Sequence, residues 1–522
     1  MSIQPPIQTP NQTPITCDPS LPIAVHTAAQ VRAMDQHAIE QLHIPAYTLM
    51  TRAGAAALRV LHENWPAVQR LSILCGPGNN GGDGYVLARL ARAQGLEVQV
   101  VALSDPAELR AEARQAWQDF LAAGGSTRQW SKDCLEQVDL VVDAIFGTGL
   151  SRPVSEHFAA PIRELNASGR PILALDIPSG LHADDGQVLG AAVQAECTLS
   201  LVGLKLGYFL GEGPDHVGRL CFDALGLSAP ASITSVARRL DANSIARALP
   251  ARKRSAHKGD HGHVLIVGGG AGMGGAVRLA GEAALRVGAG LVTVATQAPN
   301  VAAINAARPE LMCHGVQHAQ QLESLMARAD AIAIGPGLGT DPWARSLLDQ
   351  VMGWERPLIL DADALNLLAQ QPPNNPNRGN PNPSSSNWIL TPHPGEAARL
   401  LGVSAAEVQN RRMQSARELQ ERFGGTVVLK GANTLIVREG EPTWVCDRGN
   451  PGMGTAGMGD VLTGVLAGIA AQVSETQVIA RVAVLVHAMA GDLAAASIGQ
   501  RGLLAGDLIA RLPACVNPAR CT

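Results

Sequence analysis

Short apolar runs that break into glycine- and aspartate-bearing loops recur along the chain, and this alternation narrows the fold more than any other feature. Residues 71–75 run into GPGNNGGDG (76–84), 138–145 into FGTGLSRP (146–153), and 171–177 into PSG (178–180). Residues 27–42 and 85–94 read as helices, and 96–103 as a further strand. Strands alternating with helical stretches predict an α/β fold, a parallel sheet with helices on both faces. Ligands of such sheets collect at the carboxyl ends of the strands, where all three loops fall.

The rhythm lapses between 223 and 250. It resumes at His263 with HVLIVGGG, then GLVTVAT (290–296), AIAIGPGLG (331–339), PLILDADAL (357–365), WILTPHPGE (388–396) and TVVLKGANTLIV (426–437). A chain of 522 residues is too long for one ordinary domain. We expect a disordered segment over 1–22, a first domain over 23–240 and a second over 241–522. The run QQPPNNPNRGNPNPSSSN (370–387) is expected to be a mobile insert in the second.

Composition removes several function classes. Net charge is −4 with no long basic run, which argues against nucleic acid. The start MSIQPPIQTPNQTP lacks a basic stretch and an apolar core, so no secretory signal is expected. The uncharged run 461–473 is too short to cross a bilayer. Nine scattered cysteines without a CxxC pair predict reduced thiols and a cytoplasmic protein.

The stretch NPGMGTAGMGDVLTG (450–464) places five glycines and one acid, Asp460, ahead of an apolar segment that reads as a buried helix. Backbone N–H groups at such a helix start favour an anion. A phosphate held there beside one carboxylate suits transfer of a phosphoryl group to a hydroxyl; the plainer reading is a turn with Asp460 as helix cap. GGGAGMGG contains GxGxxG at Gly270, Gly272 and Gly275, but no acid follows in GLVTVAT, so a standard dinucleotide site is rejected. There is no GxxxxGK[ST], no HExxH and no paired Cys/His set. In the first domain Asp143 and Asp176 each end a buried strand, and a buried carboxylate needs a partner or a cation. Oxygen-only ligands suit a hard cation, so Asn80, Asp143 and Ser179 are expected to hold one ion, with Asp176 facing a polar substrate. His393, between prolines, and KGANT (430–434) read either as ligand contacts or as a backbone-bonded histidine and a hairpin turn.

Taken in order, CGPGNNGGDGYVLARLA, DAIFGTGL, ALDIPSGL, HKGDHGHVLIVGG, GPGLG, DADALN, LTPHPGE, KGANT and NPGMGTAGMGDVLTG resemble the signatures of the bifunctional NAD(P)H-hydrate repair enzymes. The resemblance runs from about residue 26 to 509. It implies a Rossmann-like epimerase domain followed by a ribokinase-like dehydratase domain. The first would interconvert the R and S hydrates of NADH and NADPH (NADHX and NADPHX). The second would remove water from the S form using ADP. It also implies the site residues. Asn79, Asn80, Gly81, Gly82, Asp83, Gly147, Thr148, Gly149, Leu150, Ser151, Arg152, Pro153 and Asp176 would contact the hydrate in the epimerase. Asn80, Asp143 and Ser179 would bind K+. Ala276, Gly337, His393 and Asp460 would contact the hydrate in the dehydratase, and Lys430, Gly431, Ala432, Asn433, Thr434 and Gly459 the nucleotide. Asp460 and Asp176 are the expected catalytic groups. Mg2+ is expected with the nucleotide, and a homo-oligomer without membrane or nucleic-acid partners. The rival reading is a ribokinase-like small-molecule kinase carrying a non-catalytic N-terminal binding module.

Overall fold

The computed structural model describes residues 16–17, 21–370 and 383–517. Most of 1–22 and of the 370–387 insert therefore lies outside the described residues. The chain divides into two compact units, Met1–Ala237 and Arg238–Thr522.

The first unit holds an eight-stranded sheet. Its strands run Thr16–Cys17, Arg219–Asp223, Cys197–Leu201, Ile172–Leu175, Leu140–Ala144, Arg70–Cys75, Glu97–Ala102 and Thr127–Gln129 in space. Every pair is parallel except the first. The central strands are buried along their length, as a sheet covered on both faces requires. From Arg70–Cys75 the chain builds outward through two strands on one side, then returns to place Leu140–Ala144 on the other. That reversal opens a crevice above the two strand ends, where NNGGDG and FGTGL begin.

One boundary differs from expectation. NNGGDG is not a loop before a helix at 85–94; the helix runs Asn79–Ala93, and the motif is its first turns. A side chain on Gly81 would meet the Gly76 carbonyl oxygen at 2.2 Å, so only glycine lets the turn close onto the strand end.

The second unit repeats the plan. Its strands run Met312–Gly315, Leu291–Thr296, His263–Val267, Ala331–Ile334, Leu358–Leu360, Trp388–Leu390, Thr426–Leu429, Thr434–Arg438 and Thr443–Cys446. All neighbours are parallel up to Thr426–Leu429, and the last two strands join as antiparallel hairpins. The helix Met458–Ala470 is buried nearly throughout and packs on Gly274–Arg286. One helix, Thr476–Ile498, is long and apolar enough to cross a membrane by length and composition, but 67% of its apolar window is buried in the fold. Among the described residues six cysteines are free thiols, whereas Cys221 is disulfide-bonded, against the expectation of reduced thiols alone.

Candidate active sites

In the first unit the crevice widens into a cavity of about 590 Å³. Its lining includes Asn79, Asn80, Asp83, Asp176 and the loop residues Gly147, Thr148, Gly149, Leu150, Ser151 and Arg152. Gly81, Gly82 and Pro153 do not line it. Asp176 takes a left-handed backbone conformation (φ 64°) at the end of its strand. Its carboxylate pairs with Lys205 and accepts from Thr148 N at 3.1 Å, and its carbonyl oxygen accepts from the Tyr208 hydroxyl. Lys205 is fully buried. The sequence marks it only as a charge inside the apolar run LVGLKLGYFL, which assigns it no role. Arg32 and Asp35, on the helix Ala28–Glu40, also enter the cavity and were likewise missed. Nothing in their spacing sets them apart from surface charges.

Behind the cavity Asp143 is wholly buried. It accepts from Ser179 N (2.8 Å), Ser179 Oγ (2.6 Å) and Ile145 N (3.2 Å). Burial lifts its carboxyl to about 6, against the pull of the Ser179 bonds. Phe146 N donates to Ser179 Oγ at 2.8 Å. A side chain on Gly147 would touch both Asp176 (2.9 Å) and Asn80 (3.6 Å). The loop at 146–147 thus adjoins Ser179, Asp176 and Asn80. Asn80 is 7% exposed, and neither its amide oxygen nor its nitrogen has a partner.

In the second unit the loops after His263–Val267 and Ala331–Ile334 bind each other. Gly269 N donates to Pro336 O (3.0 Å) and Gly270 N to Gly337 O (2.7 Å). Gly337 abuts Ala276: a side-chain carbon there would lie 3.2 Å from the Ala276 methyl. KGANT is a hairpin turn between antiparallel strands, and its lysine reaches carboxylates of neighbouring elements. Lys430 Nζ donates to Asp361 Oδ1 (2.7 Å) and lies 3.7 Å from Glu396. Thr391 and Thr463 donate to the same Asp361 carboxylate at 2.7 and 2.6 Å. Asp361, Glu396, Thr391 and Thr463 were not foreseen as site residues, although Asp361 opens DADAL at a strand end. His393 caps the helix Pro394–Leu401 and accepts from Gly395 N (3.0 Å), while its Nε2 lies 3.3 Å from Glu396. The backbone-bonded reading of His393 therefore holds, with about half of its side chain still exposed.

The glycine-rich stretch ends differently from the plainer reading, in which Asp460 caps the helix. Gly457 (φ 89°) is the cap of Met458–Ala470, and Asp460 sits inside the first turn. No side chain caps this helix start. Asp460 is half-buried and has no hydrogen-bond partner among the described residues. Burial, then the nearby Asp361, lifts its carboxyl to about 6, with Lys430 opposing. Next to it Gly459 faces Lys430: a side chain there would lie 3.6 Å from Nζ.

A family model described as NAD(P)H-hydrate dehydratase matches residues 264–514, and one described as YjeF-related protein N-terminus matches 46–207. The bifunctional NAD(P)H-hydrate repair enzyme Nnr of Coxiella burnetii is 45% identical over 94% of this chain and 98% of its own length. The chain belongs to the bifunctional NAD(P)H-hydrate repair enzymes. The Escherichia coli Nnr enzyme is 42% identical over 96% of this chain and 95% of its own. An ADP/ATP-dependent NAD(P)H-hydrate dehydratase from Bacillus subtilis, co-crystallised with ATP/Mg2+, is similar over 53% of this chain and 96% of its own, at 31% identity and TM-score 0.47. This repair enzyme joins an epimerase to a dehydratase, and the kinase alternative is not favoured.

Proposed function

We propose that the second unit dehydrates the S hydrate at the Asp460 site with ADP as phosphoryl donor, and that the first unit epimerises the hydrate in the Asp176 cavity. One observation carries the dehydratase assignment. Asp460 is a half-buried carboxyl without a hydrogen-bond partner among the described residues, set in the first turn of an uncapped helix beside Lys430. The hydroxyl beside the ring nitrogen would give its proton to Asp460 as its oxygen attacks the terminal phosphate. N–H groups of the helix start and Lys430 would meet the charge developing on that phosphate. AMP leaves. Phosphate then departs from carbon with the electrons of the C–O bond, a ring proton is lost, and the double bond returns. Lys430, Gly431, Ala432, Asn433, Thr434 and Gly459 would bind the nucleotide, and Ala276, Gly337 and His393 the hydrate.

Among the described residues no three His, Cys, Asp or Glu side chains gather as a metal site. A Mg2+ would therefore come with the nucleotide phosphates, which is its usual habit. K+ has better support from the chain. The unpartnered, buried Asn80 oxygen and the buried oxygens of Asp143 and Ser179 form a donor set suited to a hard cation that would fix the 146–147 loop. The six free thiols among the described residues support a cytoplasmic location, though disulfide-bonded Cys221 does not.

The decisive experiment is incubation with chemically prepared hydrate and ADP or ATP, following nicotinamide absorbance and phosphate release. Asp460→Asn should abolish nucleotide-dependent recovery while R and S forms still exchange. Near-normal recovery would remove Asp460 from the role. Replacing K+ by tetramethylammonium should slow exchange; an unchanged rate would refute the ion site.

A further inference from the structure

We infer that Asp35 is a second acid–base residue of epimerisation, acting with Asp176 from a different element of the first unit's cavity lining. The inference rests on the reading of that cavity as the epimerase site. Asp35 and Asp176 reach the cavity from different elements, the helix Ala28–Glu40 and the end of Ile172–Leu175. That helix is pinned in place. Ala28 N donates to Asp184 at 2.6 Å, and Arg32 Nη1 donates to Thr148 O at 3.1 Å, tying it to the substrate loop.

The two carboxyls differ in what they already hold. Asp176 is engaged by Lys205 and Thr148, whereas Asp35 has no hydrogen-bond or ion-pair partner among the described residues. A buried group pointing to a ligand stands beside them: Asn80 lines the same cavity with both amide atoms unpartnered. The charged and titratable groups facing Asp35 from neighbouring elements are Asp83, Glu112, Arg152, Asp176 and Lys205, with Arg32 on its own helix. Burial, then Asp176, lifts the Asp35 carboxyl to about 6. Burial drives Asp83 well above the carboxylate range, so it would stay protonated and is less suited to cycling a proton.

Inverting a hydroxyl-bearing carbon next to nitrogen is served by an acid and a base held on different elements. Protonated Asp35 gives its proton to the hydroxyl. The C–O bond breaks, water leaves, and the nitrogen lone pair closes a planar C=N cation. A water on the opposite face forms the new C–O bond and gives its proton to Asp176. One proton has moved from Asp35 to Asp176, and exchange with solvent water restores both carboxyls before the next turnover.

The test follows epimer exchange in both directions by the full chain, starting from each purified NADH hydrate. Asp35→Asn should lower exchange at least about 100-fold, the scale of lost acid–base catalysis. Asp35→Glu, which keeps the carboxyl, should stay within about tenfold of wild type. In the direction where Asp35 donates, the wild-type rate should fall as pH rises through about 6, and Asp35→Asn should lose that fall. Exchange by Asp35→Asn within threefold of wild type, or equal loss in the Asn and Glu variants, would overturn the assignment. A wild-type chain that exchanges no epimers would overturn the epimerase reading itself.

Discussion

Asp460 and Asp361 both lie within the field of Lys430, yet their surroundings drive them apart. Burial works against the charge of Asp361, but the Lys430 pair and the bonds from Thr463 and Thr391 hold it below the usual carboxylate range. Asp460 has no such bonds and is lifted to about 6. On the proposed mechanism, Asp361 is then the scaffold and Asp460 the group that exchanges protons. The base must be ionised, so dehydratase kcat/KM should rise with pH through about 6, and Asp460→Asn should flatten that limb. A pH-independent rate between 5 and 7 would contradict it. The stability sign is opposite. The fold favours the protonated carboxyl, so its contribution is full below about 4 and is lost as pH rises through about 6. Asp460 and Lys430 are legible in the sequence because each stands among glycines at an element end. Lys205 and Asp35 are not, because their meaning comes from which distant residues face them.

At the scale of elements, the helix that carries Asp460 is positioned by contact through glycine. A side chain at Gly464 would lie 2.0 Å from the Ala280 carbonyl oxygen, and one at Gly468 would lie 2.8 Å from that of Ala284. The helices Met458–Ala470 and Gly274–Arg286 therefore meet backbone to backbone. Gly464→Ala should force them apart and destabilise the second unit by about 1–3 kcal/mol, the usual cost of overpacking. Urea unfolding reads this directly, and an unchanged midpoint would mean the contact admits a methyl group without cost. Element type was legible here, because the apolar run after 460 can only be buried. The start was not: both glycine-rich motifs lie partly inside their helices, since packing against a strand end outweighs the poor helix propensity of glycine.

For the whole molecule, each unit has its own run of parallel strands, its own reversal point and its own set of carboxyls, so the two activities should be separable in one chain. Mixing Asp176→Asn and Asp460→Asn variants should restore repair of both epimers, because the hydrate diffuses from one enzyme to the other. Failure of the mixture, with each variant keeping its remaining activity, would mean that transfer must occur within one chain. The α/β class and the strand-end location of both candidate sites were set by the sequence alone. Apolar runs of strand length must pair, and glycines after them can only be turns or close approaches. Which acids share a cavity, which are held by lysine and threonine, and which are left with a shifted carboxyl was decided by tertiary structure. Burial and neighbouring charge are properties of space, and residues as far apart in the chain as Asp361, Lys430 and Asp460 acquire them only once the sheet has brought its strand ends together.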